Sequence, residues 1–140
     1  VIAYHTGDIL IGNIRPYLRK IWHADRDGGT NGDVLVIQTD NNELLNTRYL
    51  YHSLASEGFF QYDSNHAKGA KMPRGDKDAV MNYSICIPTT DEQERIVSIL
   101  DRFDTLCNDI SAGLPAEIEA RQKQYEYYRD KLLSFKELEP

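Results

Sequence analysis

Apolar and polar positions change rhythm twice along this chain. Ile9-Leu10-Ile11 is an apolar run closed by Gly12-Asn13, and Lys20–Ala24 alternates polar with apolar residues; both predict strands. Asp25–Gly29 is acidic and glycine-rich, which predicts a turn. Val34–Ile37 is a β-branched run of the kind buried on both faces of a sheet. Asn46 is placed to cap a helix over Thr47–Ser56, with Leu50 and Leu54 as its apolar stripe and Tyr51 beside it. A polar stretch, His66–Asp78, follows, and Tyr83–Ile87 predicts a short strand stopped by Pro88.

From Thr90 the period becomes helical. Thr90-Asp91-Glu92-Gln93 fits a capping box, with the Thr oxygen on an early amide and Gln93 reaching back. Ile96, Phe103 and Ile110 then repeat every seven residues, with Ile99 and Leu106 between them. Ser111–Pro115 breaks the helix, with Gly113 suited to a C-terminus and Pro115 to the first turn of the next. A second helix, from about Ala116 to Phe135, carries the seam Ile118, Tyr125, Tyr128, Leu132 and Phe135. The fold class expected is α+β: a small mixed domain over residues 1–90, then a helical, coiled-coil region over 91–140.

Charge sharpens this division. The chain is 140 residues long with a net charge of −6. Residues 1–90 hold 9 Lys and Arg against 10 Asp and Glu, whereas residues 91–140 hold 7 against 12. Acidity therefore belongs to the helical part, a poor partner for phosphate but suited to protein docking. No apolar run approaches the roughly 20 residues of a membrane helix. Val1–Tyr4 lacks the pattern of a signal peptide, and the chain starts mid-pattern, as a truncated piece would. Cys86 and Cys107 sit in apolar runs, which predicts buried, reduced thiols in a cytoplasmic protein.

Catalytic chemistry is hard to assemble from these residues. No dinucleotide fingerprint and no phosphate loop occurs. Asn13-Ile14-Arg15-Pro16-Tyr17 differs from the Asn-Pro-Pro-Tyr motif of adenine methyltransferases by an insertion and a missing proline. The pairs Asp25/Asp27 and Asp76/Asp78 are better explained by turns and helix starts, and no two histidines share helical ligand spacing. A small metal-dependent hydrolase using Asp76, Asp78 and His66 is the enzymatic alternative. The expectation is no catalytic residue, no metal and no cofactor.

Two basic clusters suit nucleic acid better. Arg15, Arg19 and Lys20 lie with Tyr17 and Trp22 around a strand–turn, and Lys68, Lys71, Arg74 and Lys77 punctuate a glycine-containing loop. Such a loop lets backbone approach phosphate while Arg can read guanine with two hydrogen bonds.

The helical half carries the more specific signal. Phe103-Asp104, Leu106, Asn108-Asp109-Ile110, Gly113-Leu114-Pro115-Ala116-Glu117-Ile118 and Arg121 are followed by Gln124-Tyr125-Glu126-Tyr127-Tyr128-Arg129, Lys131-Leu132-Leu133 and Phe135. This series closely resembles the conserved helical region of type I restriction–modification specificity subunits. Ile87-Pro88 with Glu92-Gln93, Ile96-Val97 and Ile99-Leu100 matches the exit from the family's target-recognition domain, and Gly7-Asp8-Ile9-Leu10 its later part. The resemblance implies a non-catalytic subunit that reads one half of a split site on double-stranded DNA and scaffolds methylation and restriction subunits. It also implies that the C-terminal helices pair with a second helical region, here expected to come from a second copy in a homodimer. The alternative within the family is a half-subunit that only dimerises and docks, without reading DNA.

Overall fold

The computed structural model describes residues 1–40, 42–109 and 115–135. It has an α+β fold in two compact units, Val1–Ile85 and Cys86–Pro140.

In the first unit, β2 (Ile9–Gly12) is central, flanked antiparallel by β3 (Ile21–His23) and β5 (Val34–Ile37). The strand buried on both faces is β2, where Ile9, Leu10 and Ile11 are all buried. That corrects the expectation for Val34–Ile37: β5 is an edge strand in which Leu35 alone is buried. A β-branched run marks strand propensity, but position in the sheet decides burial. The turn expected over Asp25–Gly29 is shorter, because β4 (Gly28–Thr30) pairs antiparallel with β1 (Ile2–Tyr4). Gly28 faces the Tyr4 ring, and a Cβ there would collide with the phenol. Tyr4 also meets Trp22 edge-on at 5.7 Å, which makes Trp22 a packing residue.

Ile9 and Ile11 point to one side of the sheet, as residues two apart in a strand must, and join Leu35, Leu50, Leu54, Phe59, Phe60 and Val80 in the core. Each full burial of such a side chain contributes about 1.5–3 kcal/mol. Leu50 and Leu54 come from α1 (Thr47–Leu54), and Asn46 caps it as expected, accepting from the Arg48 and Tyr49 amides at 2.8 and 3.2 Å. Phe59 and Phe60 come from α2 (Glu57–Asn65), capped by Ser56, and Val80 from α3 (Lys77–Met81), capped by Asp76. Tyr62 Oη donates to the Ala79 carbonyl at 2.7 Å, joining α2 to α3. The strand expected at Tyr83–Ile87 does not form. Tyr83 instead packs its ring against Phe59 and Tyr62, each at 5.0 Å, and this irregular segment has no strand partner.

The second unit contains α4 (Thr90–Asp109) and α5 (Pro115–Leu133), which pack against each other. The cap of α4 lies one residue earlier than expected: Thr89 Oγ1 accepts from the Glu92 amide at 3.3 Å. Gln93 Nε2 donates to the Pro88 carbonyl at 2.9 Å instead of reaching back to an amide. Gln93, Ile96 and Leu100 form the buried stripe of α4, while Leu106 is exposed, so the strict heptad through Ile99 and Leu106 is not the buried seam. Phe103 stacks on Tyr128 at 5.5 Å and meets Tyr125 at 6.1 Å, so part of the α5 seam is covered within the chain. Phe135 lies beyond the end of α5; Ile110, Gly113 and the side chain of Ile118 lie outside the described residues. Cys86 is exposed and Cys107 half-buried, against the expectation of two buried thiols. Among the described residues no helix is long and apolar enough to cross a membrane.

Candidate nucleic-acid interface

The two basic clusters, sixty residues apart in sequence, meet in one place. Asn13–Arg15 leaves the end of β2 and runs beside Pro73–Gly75, with Ile14 opposite Arg74 in an antiparallel bridge. The Arg15 amide donates to the Pro73 carbonyl at 2.7 Å and the Gly75 amide to the Asn13 carbonyl at 2.8 Å. A second bridge joins Lys68 to Arg74, each amide donating to the other's carbonyl at 2.9 and 2.8 Å. This pinches off a loop of residues 69–73 with exposed Lys71 and Met72 at its tip. Gly69 turns it at φ 111°, a conformation that strongly favours glycine.

On the other side of the strip, Pro16–Leu18 forms one 3-10 turn between two left-handed arginines, Arg15 at φ 51° and Arg19 at φ 53°. A left-handed conformation costs a residue with a Cβ roughly 1–2 kcal/mol. Pro16 is buried as the anchor of this turn, whereas Tyr17 is 56% exposed. The turn therefore presents Tyr17 outward between two strained arginines. Lys20 follows at the start of β3, and its carbonyl accepts from the Gly12 amide at 2.9 Å.

Neutralisation divides the candidates. Arg74 pairs with Asp33 at 2.9 Å, Lys68 with Asp76 at 3.6 Å, and Arg19 with Glu57 of α2 at 3.6 Å. Arg15, Lys20, Lys71 and Lys77 have no carboxylate partner among the described residues. Lys77 is the first residue of α3 and lines an apolar depression with Val34–Ile37, away from the strip's bridges. The strip thus gathers Arg15, Tyr17, Lys68, Lys71 and Arg74, while Arg19 turns toward α2.

The proposed metal ligands serve other ends. Asp76 accepts from the Asp78 amide at 3.0 Å, and this bond, ahead of nearby Lys68, holds its carboxyl below the ordinary range. His66 Nδ1 lies 2.8 Å from the Tyr62 carbonyl, with the two rings 4.2 Å apart. Asp27 accepts from the Thr6 amide and hydroxyl at 2.8 and 3.2 Å. Among the described residues no three His, Cys, Asp or Glu side chains are grouped to hold a metal ion.

Sequence reasoning missed the residues beneath the strip. Asn13 and Asp63 are both buried, and their side-chain oxygens converge on the place that a Cβ of residue 75 would take. The signal was present: Asp63 stands four residues after Phe59 and three after Phe60, which puts all three on one face of a helix.

The first unit is thus a small α+β unit carrying a basic strip, and the second a helical pair. The model of the type I restriction modification DNA specificity domain matches residues 4–120, and the chain belongs to this family. It is 44% identical over 105 residues to the type I restriction enzyme EcoR124I/EcoR124II specificity subunit of Escherichia coli, covering 75% of this chain and 26% of that protein. It is 41% identical over 132 residues to a type I restriction enzyme specificity subunit of Haemophilus influenzae, covering 92% of this chain and 32% of that one. A type I specificity subunit of Mycoplasma pneumoniae is 31% identical over 136 residues, 96% of this chain and 40% of its own. The chain therefore spans between about a quarter and two-fifths of the length of these relatives.

Proposed function

We propose that this chain supplies one DNA-reading surface and one helical spacer of a type I specificity subunit, non-catalytic by itself and working in the cytoplasm. The observation that carries this reading is the joining of the two basic clusters by the Ile14–Arg74 bridge. Backbone bonds tie down the main chain at Arg15, Lys68 and Arg74, and Arg15 and Lys71 remain without carboxylate partners among the described residues. On double-stranded DNA, Lys71, Lys68 and Lys20 would contact phosphate, and Arg15 and Arg74 would reach base edges, with Tyr17 against sugar or base. Lys77 and Arg19, at the margins, would add to the field more than to contact.

The acidic helical pair takes the docking role, toward methylation and restriction subunits. Exposed Leu106 and Tyr127, with Tyr125, Tyr128, Leu132 and Phe135 on or just beyond α5, support packing against a second helical region, which a second copy of the chain supplies. The partner-facing role of Ile118 is part of the same proposal.

The test is a mobility-shift titration of the chain with methylation subunits against duplex DNA at low and moderate salt. Binding that falls steeply with salt, and that prefers one sequence over a scrambled duplex, is the expected result. An assembly that forms but retains no DNA at low salt defeats the DNA-reading role.

A further inference from the structure

Three buried oxygens of the first unit have no hydrogen-bond donor: Asn13 Oδ1 and both carboxyl oxygens of Asp63. Asn13 is 6% exposed and Asp63 only 1%. They crowd the same small space, since a Cβ on Gly75 would stand 2.5 Å from Asn13 Oδ1 and 2.9 Å from Asp63 Oδ1. An unpaired buried polar group is costly, and an unpaired buried carboxylate more so. With the Asn13 oxygen turned toward it, the Asp63 carboxyl can complete a hydrogen bond between them only as a neutral acid, which carries the missing proton. Burial pushes the Asp63 carboxyl up from its ordinary value of 3.8, with His66, just past the end of the same helix, acting the other way.

We infer that Asp63, carrying its proton, donates it in a hydrogen bond to Asn13 Oδ1, and that this buried clasp positions the basic strip for DNA. The inference rests on the DNA-reading role proposed above and deepens it. Asp63 belongs to α2, whose Phe59 and Phe60 are fully buried in the core. The strip consists of short bridges, and a bridge alone frays easily. Through Asn13 and Gly75, the clasp anchors it to a helix that contributes two rings to the core. Asn13 lies two residues before Arg15, and Gly75 directly follows Arg74, so both arginines that face base edges are held from one point. Gly75 has no side chain because the clasp occupies the place a Cβ would take. Asp63 and Asn13, being buried, are positioning residues and touch no DNA themselves.

The test separates the clasp from the DNA role. Hydrogen exchange of the Arg15 and Gly75 amides, measured without DNA, reads the clasp directly. Asp63→Ala should accelerate both by about tenfold or more, as loss of a buried hydrogen bond does. Asp63→Asn, neutral and equipped with a donor, should restore slow exchange, and so should the exchanged pair Asn13→Asp/Asp63→Asn. The same variants, assembled with methylation subunits, are then offered a random-sequence duplex pool, and the enriched sequences are compared. Asp63→Ala should lose discrimination, and adding Arg15→Ala should lose little more, because both changes remove one function; independent structural damage would add. Unchanged amide exchange in Asp63→Ala, or Asp63→Asn exchanging as fast as Asp63→Ala, overturns the clasp. If exchange responds as expected but the parent assembly enriches no sequence, the DNA reading falls, and the positioning role with it, while the hydrogen bond stands.

Discussion

Lys71 and Arg74 lie three residues apart, and the structure predicts that they contribute unequally to DNA affinity. Lys71 has no carboxylate near it among the described residues, so its charge is fully available for phosphate. Arg74 already has Asp33 at 2.9 Å, so the pair brings almost no net charge to the surface. Each phosphate neutralised in duplex DNA contributes about 0.9 to the slope of log affinity against log salt. Over a fourfold rise in salt that is a factor of about 3.5 per contact. Lys71→Ala should therefore flatten the slope by about 0.9 and weaken target and non-target DNA alike. Arg74→Ala should change the slope less but relax discrimination at one base pair by roughly 1–3 kcal/mol. Asp33→Asn should do the opposite of a weakening mutation. It frees Arg74 for the loss of an exposed ion pair worth about 0–1 kcal/mol, and should steepen the slope by up to about 0.9. Fluorescence anisotropy of labelled duplex across a salt series, with target and scrambled sequences, measures all three. Equal slopes for parent, Lys71→Ala and Asp33→Asn would refute this electrostatic account of the strip.

Four further outcomes follow from individual contacts. Asn46→Ala removes the acceptor for two amides of α1 and should cost about 1 kcal/mol, visible as a lower Tm with secondary structure retained. Arg15→Asn replaces a left-handed arginine by a residue that tolerates φ 51°; the fold should melt no lower than the parent while sequence discrimination falls, and a clearly lower Tm would show that Arg15 is structural. Because the folded Asp63 carboxyl is raised above 3.8, its contribution is present below that pH and lost as pH rises through the raised value; thermal melts from about pH 3 to about pH 8 should show the parent losing ground to Asp63→Asn across that window, and a constant difference would contradict it. Leu132→Asp places a charge on α5 and should shift sedimentation of the parent toward monomer; a parent that is monomeric at high micromolar concentration ends the homodimer proposal.

Local rules were legible where one residue decides the outcome. Asn46 caps α1 because its short side chain reaches two orphaned amides, a property visible in sequence. The capping box through Thr90 and Gln93 did not form: Thr89 caps α4 and Gln93 bonds the Pro88 carbonyl, a shift of one residue that the spacing alone does not reveal. The burial of β2 over β5 could not be read from Ile9–Ile11 and Val34–Ile37, since both runs are apolar and the difference is their order in the sheet. Heptad spacing in α4 predicted a seam of Ile96, Phe103 and Ile110 with Ile99 and Leu106 between them; Ile96 is buried, but beside it Gln93 and Leu100 are buried and Leu106 is exposed. A stripe three and four residues apart has several registers, and the packing partner chooses one.

The basic candidates were found by composition alone, yet composition could not say that they form one surface. Arg15 and Arg74 are distant in sequence, and the bridge between them uses backbone groups that every residue carries. Nor does a count of positive residues register Asp33, which lies outside both clusters and neutralises Arg74. Asn13 shows the deeper reason. In sequence it looks like the polar residue that ends a strand beside Gly12. Its role depends on Asp63, fifty residues later, and on the absence of a side chain at Gly75. Such a role has no local signature, because the cost of burying each polar group is offset only by the other. Two buried polar residues on different elements, aimed at one glycine beneath a charged strip, are what a fold needs when a short irregular segment must stand still.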